Sequence, residues 1–308
     1  MNNELVDLKL NNTDEGTKEN TQSETKASEY IEGSYRYDAL TDADVNNIEF
    51  DSRPTLITLL GFSESGKTTF VGSLFAILRR RPDLLNTKFI DSDTLTGFER
   101  RIHQRLLSKD GKSVTPRTQR KSNSILNVVL HNKNDNNQHM FVISDLSGEI
   151  YKDAISDKTA VLQQTAVKYA DKLVIFVDGE QLLKAMSYGL YKDKFQSLLK
   201  RFRENDMFPD GSEVYVAINK IDLVKNEINR EKEETKSAIE NRKNVIVNIV
   251  KDYISIMDDN IFEICSLNIQ KGNEDEQLIQ FLTKLLCKKK QESLPSTYNW
   301  IKNLSKKQ

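Results

Sequence analysis

Residues 61–69 read Gly61-Phe62-Ser63-Glu64-Ser65-Gly66-Lys67-Thr68-Thr69. The pattern is G-x-x-x-x-G-K-[ST], and it lies between an apolar run and a helical pattern. Its glycines let the backbone curl, with N–H groups turned inward on phosphate oxygens. Lys67 has the reach for β- and γ-phosphate oxygens, and Thr68 offers a hydroxyl to Mg2+. A helix opening at Lys67 adds the positive end of its dipole. Gly61, Ser63, Glu64, Ser65, Gly66, Lys67, Thr68 and Thr69 are therefore the expected phosphate contacts. A chance match would not be expected to carry a strand before it and a helix after it.

A second group follows the apolar run 140–144: Asp145-Leu146-Ser147-Gly148-Glu149. An acid at the end of a buried strand beside a phosphate loop is placed to serve the metal, so Asp145 is the expected Mg2+-side carboxylate. Gly148 has no side chain, so its N–H can approach a γ-phosphate. Loss of that contact on hydrolysis would release the segment that follows. Glu149 could orient or activate a water, repel the γ-phosphate and slow turnover, or stand in solvent; the sequence leaves these open. Alone, D-x-x-G is also an ordinary strand end. Downstream of a phosphate loop it carries weight.

A third group, Asn219-Lys220-Ile221-Asp222, follows the run 214–218. The Asp222 carboxylate can accept both hydrogen bonds from guanine N1–H and its exocyclic amine. Adenine lacks that donor pair, and a buried acid left unpaired is costly, so the motif selects GTP and GDP over ATP. Lys220 is expected to lay its stem along the base, and Asn219 to tie this loop to the phosphate loop. After the run 261–265, Cys265-Ser266-Leu267-Asn268 stands where a backbone loop could support the base. Ser266 and Leu267 are the expected contacts there. Cys265 reads as a small buried residue rather than a reactive thiol.

Apolar runs rich in β-formers occur at 55–60, 125–130, 140–144, 173–177, 214–218 and 261–265. Helical patterns follow at 67–80, 157–170, 190–204, 228–257 and 275–289. Strands separated by helices predict an α/β fold with a mostly parallel sheet. The runs 125–130 and 140–144 are joined only by HNKNDNNQH, all turn chemistry, and should form an antiparallel hairpin. A helix is also expected at 94–107, where Arg100, Arg101 and Arg105 make a basic face, either solvated or turned to a partner or nucleotide. The segment 225–243 interleaves acids and bases and reads as a charged helix face.

Composition sets the outer bounds. The 308 residues carry 45 Lys and Arg against 46 Asp and Glu, a net charge of −1, which gives no bulk reason to bind nucleic acid. Two cysteines exclude a disulfide scaffold and a four-cysteine zinc site. His103, His131 and His139 form no ligand set, and the two beside the hairpin loop are expected to be exposed. No stretch is apolar enough for a transmembrane helix, and the N-terminus lacks signal-peptide character. The chain is therefore expected to be soluble and cytoplasmic. Residues 1–50 are expected to be a disordered acidic tail, 51–290 the folded domain, and 291–308 a basic C-terminal segment. That last segment is either solvated or a docking turn built on Tyr298, Trp300, Ile301 and Leu304.

With these motifs in order, residues 51–290 resemble the TRAFAC class of P-loop GTPases. The resemblance implies a three-layer sandwich around a six-stranded sheet of order 2-3-1-4-5-6, with strand 2 antiparallel. Ser92-Asp93-Thr94-Leu95-Thr96-Gly97-Phe98-Glu99-Arg100-Arg101, Thr115-Pro116-Arg117-Thr118 and Ser144-Asp145-Leu146-Ser147-Gly148-Glu149 resemble the bacterial double-GTPase group of predicted conflict and phage-defence systems. This implies a GTP-hydrolysing switch with Mg2+ that acts on partner proteins, an effector or companion GTPase; a dimer is compatible with it. Ras-type GTPases often place Gln where Glu149 stands, which motivates the alternative of a non-hydrolysing GTP-dependent binding subunit. The span from Lys67 to Asp145 is longer than in small GTPases, with an insertion at about 83–112. Switch I should follow it, with Thr115 or Thr118 reaching Mg2+. Lys67, Glu149 and Thr118 are the residues implied for catalysis, and Arg117 or Arg120 could add a cation.

Overall fold

The computed structural model describes residues 38–41, 53–106, 124–208, 211–230, 233–267 and 275–287. All of them fall within one compact unit, Tyr35–Gln308. Thr115, Thr118, Arg117, Arg120, Asn268, the first 37 residues and the basic end lie outside the described residues, as do the side chains of His103 and Arg105.

The run TLITLL is apolar at four of its six positions and forms β1 (Thr55–Leu60), buried throughout. A strand buried on both faces needs cover from two sides. Leu56 and Leu60 point into one core and Ile57 and Leu59 into the other. Helix α1 (Lys67–Arg80) follows, then β2 (Thr87–Asp91), α2 (Leu95–Leu106), β3 (Ser124–Asn132) and β4 (Asn137–Asp145). Next come α3 (Gly148–Ser156), α4 (Lys158–Leu162), α5 (Thr165–Lys168), β5 (Lys172–Asp178), α6 (Gly179–Leu183) and α7 (Ala185–Glu204). The chain continues with β6 (Glu213–Asn219), α8 (Ile221–Arg230), α9 (Glu233–Tyr253), β7 (Ile261–Glu263) and α10 (Glu276–Leu285).

The sheet has seven strands in the order β2-β3-β4-β1-β5-β6-β7. β4, β1, β5, β6 and β7 run parallel. β3 and β4 form the expected antiparallel hairpin, with Ser124 opposite Asp145 and Asn132 opposite Asn137. The six strands expected become seven because the insertion adds β2 at the edge, antiparallel to β3. Its sequence TKFID is mostly polar and its register breaks between Phe89 and Asp91, so it carries no clean alternation. On the same edge of β3 as β2, further along the strand, Leu40 exchanges both backbone hydrogen bonds with Ile125, at 2.8 and 2.9 Å.

Two expected helices are broken. The pattern 157–170 becomes α4 and α5, with α3 running up to it. Asp157 is extended, and its carboxylate caps α4 by accepting from Thr159 N at 2.8 Å. Such a cap ends one helix by starting the next. The pattern 228–257 divides between α8 and α9. His139, expected to be exposed, is buried, and its Nε2 lies 2.6 Å from Asp135 Oδ2; His131 is half-buried. The tight hairpin turn folds the Asp135 carboxylate back over the ring.

Every parallel strand ends on the same edge of the sheet. The loops after β1, β4, β5, β6 and β7 are therefore neighbours, where ligands bind in open α/β sheets.

Candidate functional site

The loop after β1 closes tightly. Gly66 has φ of +89°, left-handed backbone that favours glycine, and a Cβ there would lie 2.1 Å from Asn219 Nδ2. Ser65 Oγ donates to Phe62 O at 2.9 Å and steadies the turn. Gly61 is buried, Ser63 is half-buried, and Glu64 stands exposed at the tip with φ of 69°. No side chain caps the start of α1, and its first turn, Lys67-Thr68-Thr69, holds no acid. A bare helix N-terminus of this kind favours an anion.

Lys67 is buried inside the loop. Its Nζ donates to Gly61 O at 2.6 Å and Phe62 O at 3.1 Å, and it lies 5.8 Å from the Tyr151 ring. Burial pulls its pKa down to about 8, against the opposing pull of the Asp145 carboxylate. Tyr151 Oη donates to Leu59 O at 3.0 Å, and burial pushes its hydroxyl far up. The Tyr151 ring therefore forms an apolar wall beside the ammonium.

Asp145 ends β4 opposite Leu59 of β1, which brings it beside α1. Thr68 Oγ1 donates to its Oδ1 at 3.3 Å. The other oxygen, Oδ2, accepts from Arg101, with Nε at 3.1 Å and Nη2 at 3.0 Å. Of the two readings of the basic face, solvated or turned to a partner or nucleotide, Arg101 does not fit the solvated one, because it is buried. The signal for it was present. Thr94, Gly97, Phe98 and Arg101 follow i, i+3, i+4, i+7 spacing and all are buried. A buried guanidinium needs a carboxylate, and Asp145 supplies it.

Gly148 opens α3 directly against the phosphate loop. A Cβ there would stand 2.0 Å from Ser63 N and 2.3 Å from Phe62 C, both backbone atoms that cannot yield. Ser147 caps this helix by accepting from Glu149 N at 3.4 Å, and Glu149 sits half-buried in the first turn.

Asn219 joins three loops. Its Nδ2 donates to Ser65 O at 3.0 Å, and its Oδ1 accepts from Ser266 N at 3.1 Å and Ser266 Oγ at 2.9 Å. Ser73 Oγ donates to Ser266 O, which fixes the same turn to α1. Lys220, at φ of 60°, sends its Nζ to Asp178 Oδ1 at 3.0 Å and Glu180 Oε2 at 3.1 Å. These two acids, one ending β5 and one just after it, are not singled out by the sequence, because D-G-E at a strand end is ordinary turn chemistry. Burial pushes the Asp178 carboxyl up, and Lys220 offsets it. Asp222 lies half-buried in the first turn of α8. It faces a cavity of about 220 Å3 whose walls include Gly66, Thr69, Lys220, Ser266 and Leu267. A wider recess of about 430 Å3, lined by Asp222, Lys225, Cys265, Leu267 and Asp275, adjoins it. The Gly61–Thr69 loop and Asp222 thus border one cavity.

A family model described as Double-GTPase 2 matches residues 55–260. The chain belongs to the Double-GTPase 2 family. Its fold is that of a P-loop GTPase, and its family makes it a GTP-binding domain. No curated protein matches the chain. Among solved structures, it is similar to the signal recognition particle receptor SRb-GTP/SRX complex from Chaetomium thermophilum. Identity is 15%, the TM-score is 0.36, and the match covers 76% of this chain and 99% of that one, a likeness too distant to carry an argument. In this Double-GTPase 2 chain the insertion supplies both an edge strand and the buried arginine beside Asp145.

Proposed function

We propose that this chain is a GTP-hydrolysing molecular switch that acts on partner proteins. The observation that carries the reading is the Asn219 junction, which sets the phosphate loop and Asp222 around one cavity. In this reading Asp222 accepts from the guanine, Ser266 and Leu267 support the base, and Gly61 to Thr69 hold the phosphates. Lys67 leaves the two loop carbonyls for phosphate oxygens. Gly148 offers its N–H to the γ-phosphate, and α3 follows it. Glu149 is one helix position further on, where it can orient the attacking water.

The metal side fits Mg2+. Thr68 Oγ1 and Asp145 Oδ1 are hard oxygen donors 3.3 Å apart. Among the described residues no group of three His, Cys, Asp or Glu could hold a metal, so phosphate and water would complete the shell. Thr115 or Thr118 would add a hydroxyl from switch I. Bound there, Mg2+ neutralises phosphate charge during transfer. No helix among the described residues is long and apolar enough to cross a membrane. We place the switch in the cytoplasm, in a bacterial conflict or phage-defence system, on the family resemblance.

Asp222→Ala tests the base assignment. Two hydrogen bonds to a charged acceptor, at about 1.5–3 kcal/mol each, predict at least a ~100-fold loss of GTP affinity with ATP unaffected. Equal affinity of the wild type for GTP and ATP would overturn the reading. Phosphate release that Lys67→Ala abolishes supports hydrolysis. Tight GTP binding with no such release would favour a binding subunit instead, the role that a carboxylate at Glu149 also allows.

A further inference from the structure

Arg101 belongs to the insertion, not to the phosphate loop, yet it is built into the metal side of the site. Its side chain is 9% exposed and Asp145 is fully buried. Every polar group of the fork has a fixed partner. Nε and Nη2 converge on Asp145 Oδ2, and Nη1 donates to Gly97 O at 2.9 Å. Because Arg101 holds Oδ2, the second oxygen, Oδ1, faces Thr68. Lys67 rests on loop carbonyls rather than on this carboxylate, which leaves its ammonium available to phosphates.

The helix that carries Arg101 is clamped. A Cβ on Gly97 would lie 2.7 Å from Ala39 N and 2.8 Å from the Leu126 side chain. Gly72 of α1 admits the Arg101 carbonyl at 3.2 Å from where a Cβ would be. Phe98 stacks on Phe75 of α1 at 4.5 Å between ring centroids. Ser92 Oγ donates to Asn127 O at 2.7 Å and holds the approach to the helix on β3. Arg101 is therefore carried on a helix packed against both α1 and β3.

We propose that Arg101 is a positioning residue that aims the Asp145 carboxylate at the Mg2+ side of the nucleotide site, so that the insertion helix sets Mg2+ affinity. The proposal rests on the reading of Thr68 and Asp145 as the metal side of a GTP site. Partners that hydrogen-bond a metal's carboxylate ligand set its orientation, and losing one typically costs about 10–100-fold in metal affinity. Without Arg101 the Oδ2 oxygen loses its fixed partner, and the carboxylate would turn so that Oδ1 no longer faces Thr68 and the metal side.

The test is the Mg2+ dependence of fluorescent GDP release from the full chain. Mg2+ should slow release, and Arg101→Gln should raise the midpoint by about 10–100-fold. Its GDP affinity in EDTA should be unchanged within error, which a merely loosened fold would not leave intact. Arg101→Lys keeps the charge, but one ammonium cannot span Oδ2 and the Gly97 carbonyl as the fork does, so its midpoint should fall between the two. Arg100→Gln, on the exposed neighbouring position, should leave the midpoint in place. A wild-type midpoint in Arg101→Gln, or an equal shift in Arg100→Gln, overturns the proposal. If the Gln variant does not fold, a wild-type midpoint in Arg101→Lys overturns it. A wild type that binds no GDP overturns the nucleotide reading as well, whereas Mg2+-slowed release with an unshifted Arg101→Gln removes this proposal alone.

Discussion

Asn219→Ala removes the junction that joins the phosphate loop, the base loop and α1. The side chain makes three buried hydrogen bonds: one to Ser65 O at 3.0 Å and two from Ser266 at 3.1 and 2.9 Å. Each is worth about 1 kcal/mol net, and a buried group left without a partner costs about 1–3 kcal/mol. Ser65 O loses its partner with Nδ2, and Ser266 N loses its partner with Oδ1. The expected loss is therefore about 3–5 kcal/mol of about 5–15 kcal/mol total, large but survivable for the fold. The space beside Gly66 also opens, because Nδ2 fills the place a Cβ would take. Urea unfolding of the nucleotide-free protein should show a lower midpoint at an unchanged slope. GDP affinity should fall about 10–100-fold, since two loops that were set in advance must then be ordered on binding. Asn219→Asp keeps the acceptor for Ser266 but sets a buried carboxylate oxygen against Ser65 O, so it should not recover the loss. A stability loss under about 1 kcal/mol in Asn219→Ala, with wild-type GDP affinity, would refute the argument that this side chain carries the junction.

Burial holds the free Lys67 ammonium at a pKa of about 8, and phosphate oxygens in its place would raise it. GDP affinity should then be flat below about pH 8 and fall as pH rises through it, with proton uptake on binding; calorimetry in buffers of different ionisation enthalpy that finds no uptake there sinks the assignment. The same shift has a stability sign: the folded value lies below the unfolded 10.5, the unfolded chain binds more protons between the two, and the nucleotide-free protein gains stability as pH rises across that window. Phe98→Ala removes a fully buried ring stacked on Phe75 and should cost about 3–5 kcal/mol in denaturant unfolding. A loss under about 1 kcal/mol would show that α2 is not anchored through that pair.

The motifs of the candidate site were legible because each of them is local. Gly61 to Thr69 is one turn between a strand and a helix, and backbone geometry at a tight phosphate turn demands glycines at set spacing. Asn219-Lys220-Ile221-Asp222 is likewise one turn after one strand. The strands β1, β4, β5 and β6 were legible too, because burial on both faces leaves continuous apolar runs. β2 was not, since an edge strand buries little and shows little pattern. The helices that meet at Asp157 kept the period of a longer one, and only the Asp157 cap separates them.

What the sequence determined by itself is the set of parts: a G-x-x-x-x-G-K-T loop, a strand-ending acid, a glycine to follow it and an N-K-x-D turn, in an order that belongs to one family. What the tertiary structure decided is which of these touch. Asn219 meets Ser65 and Ser266, Gly148 meets Ser63, and Lys220 meets Asp178, because parallel strands bring their carboxyl ends to one edge. Arg101 is the sharpest case. Its place in an arginine-rich stretch reads as a face either solvated or turned to a partner or nucleotide, and its helical spacing admits burial. Only the docking of α2 on α1 and β3 removes water from the guanidinium and leaves Asp145 as the carboxylate that can neutralise it.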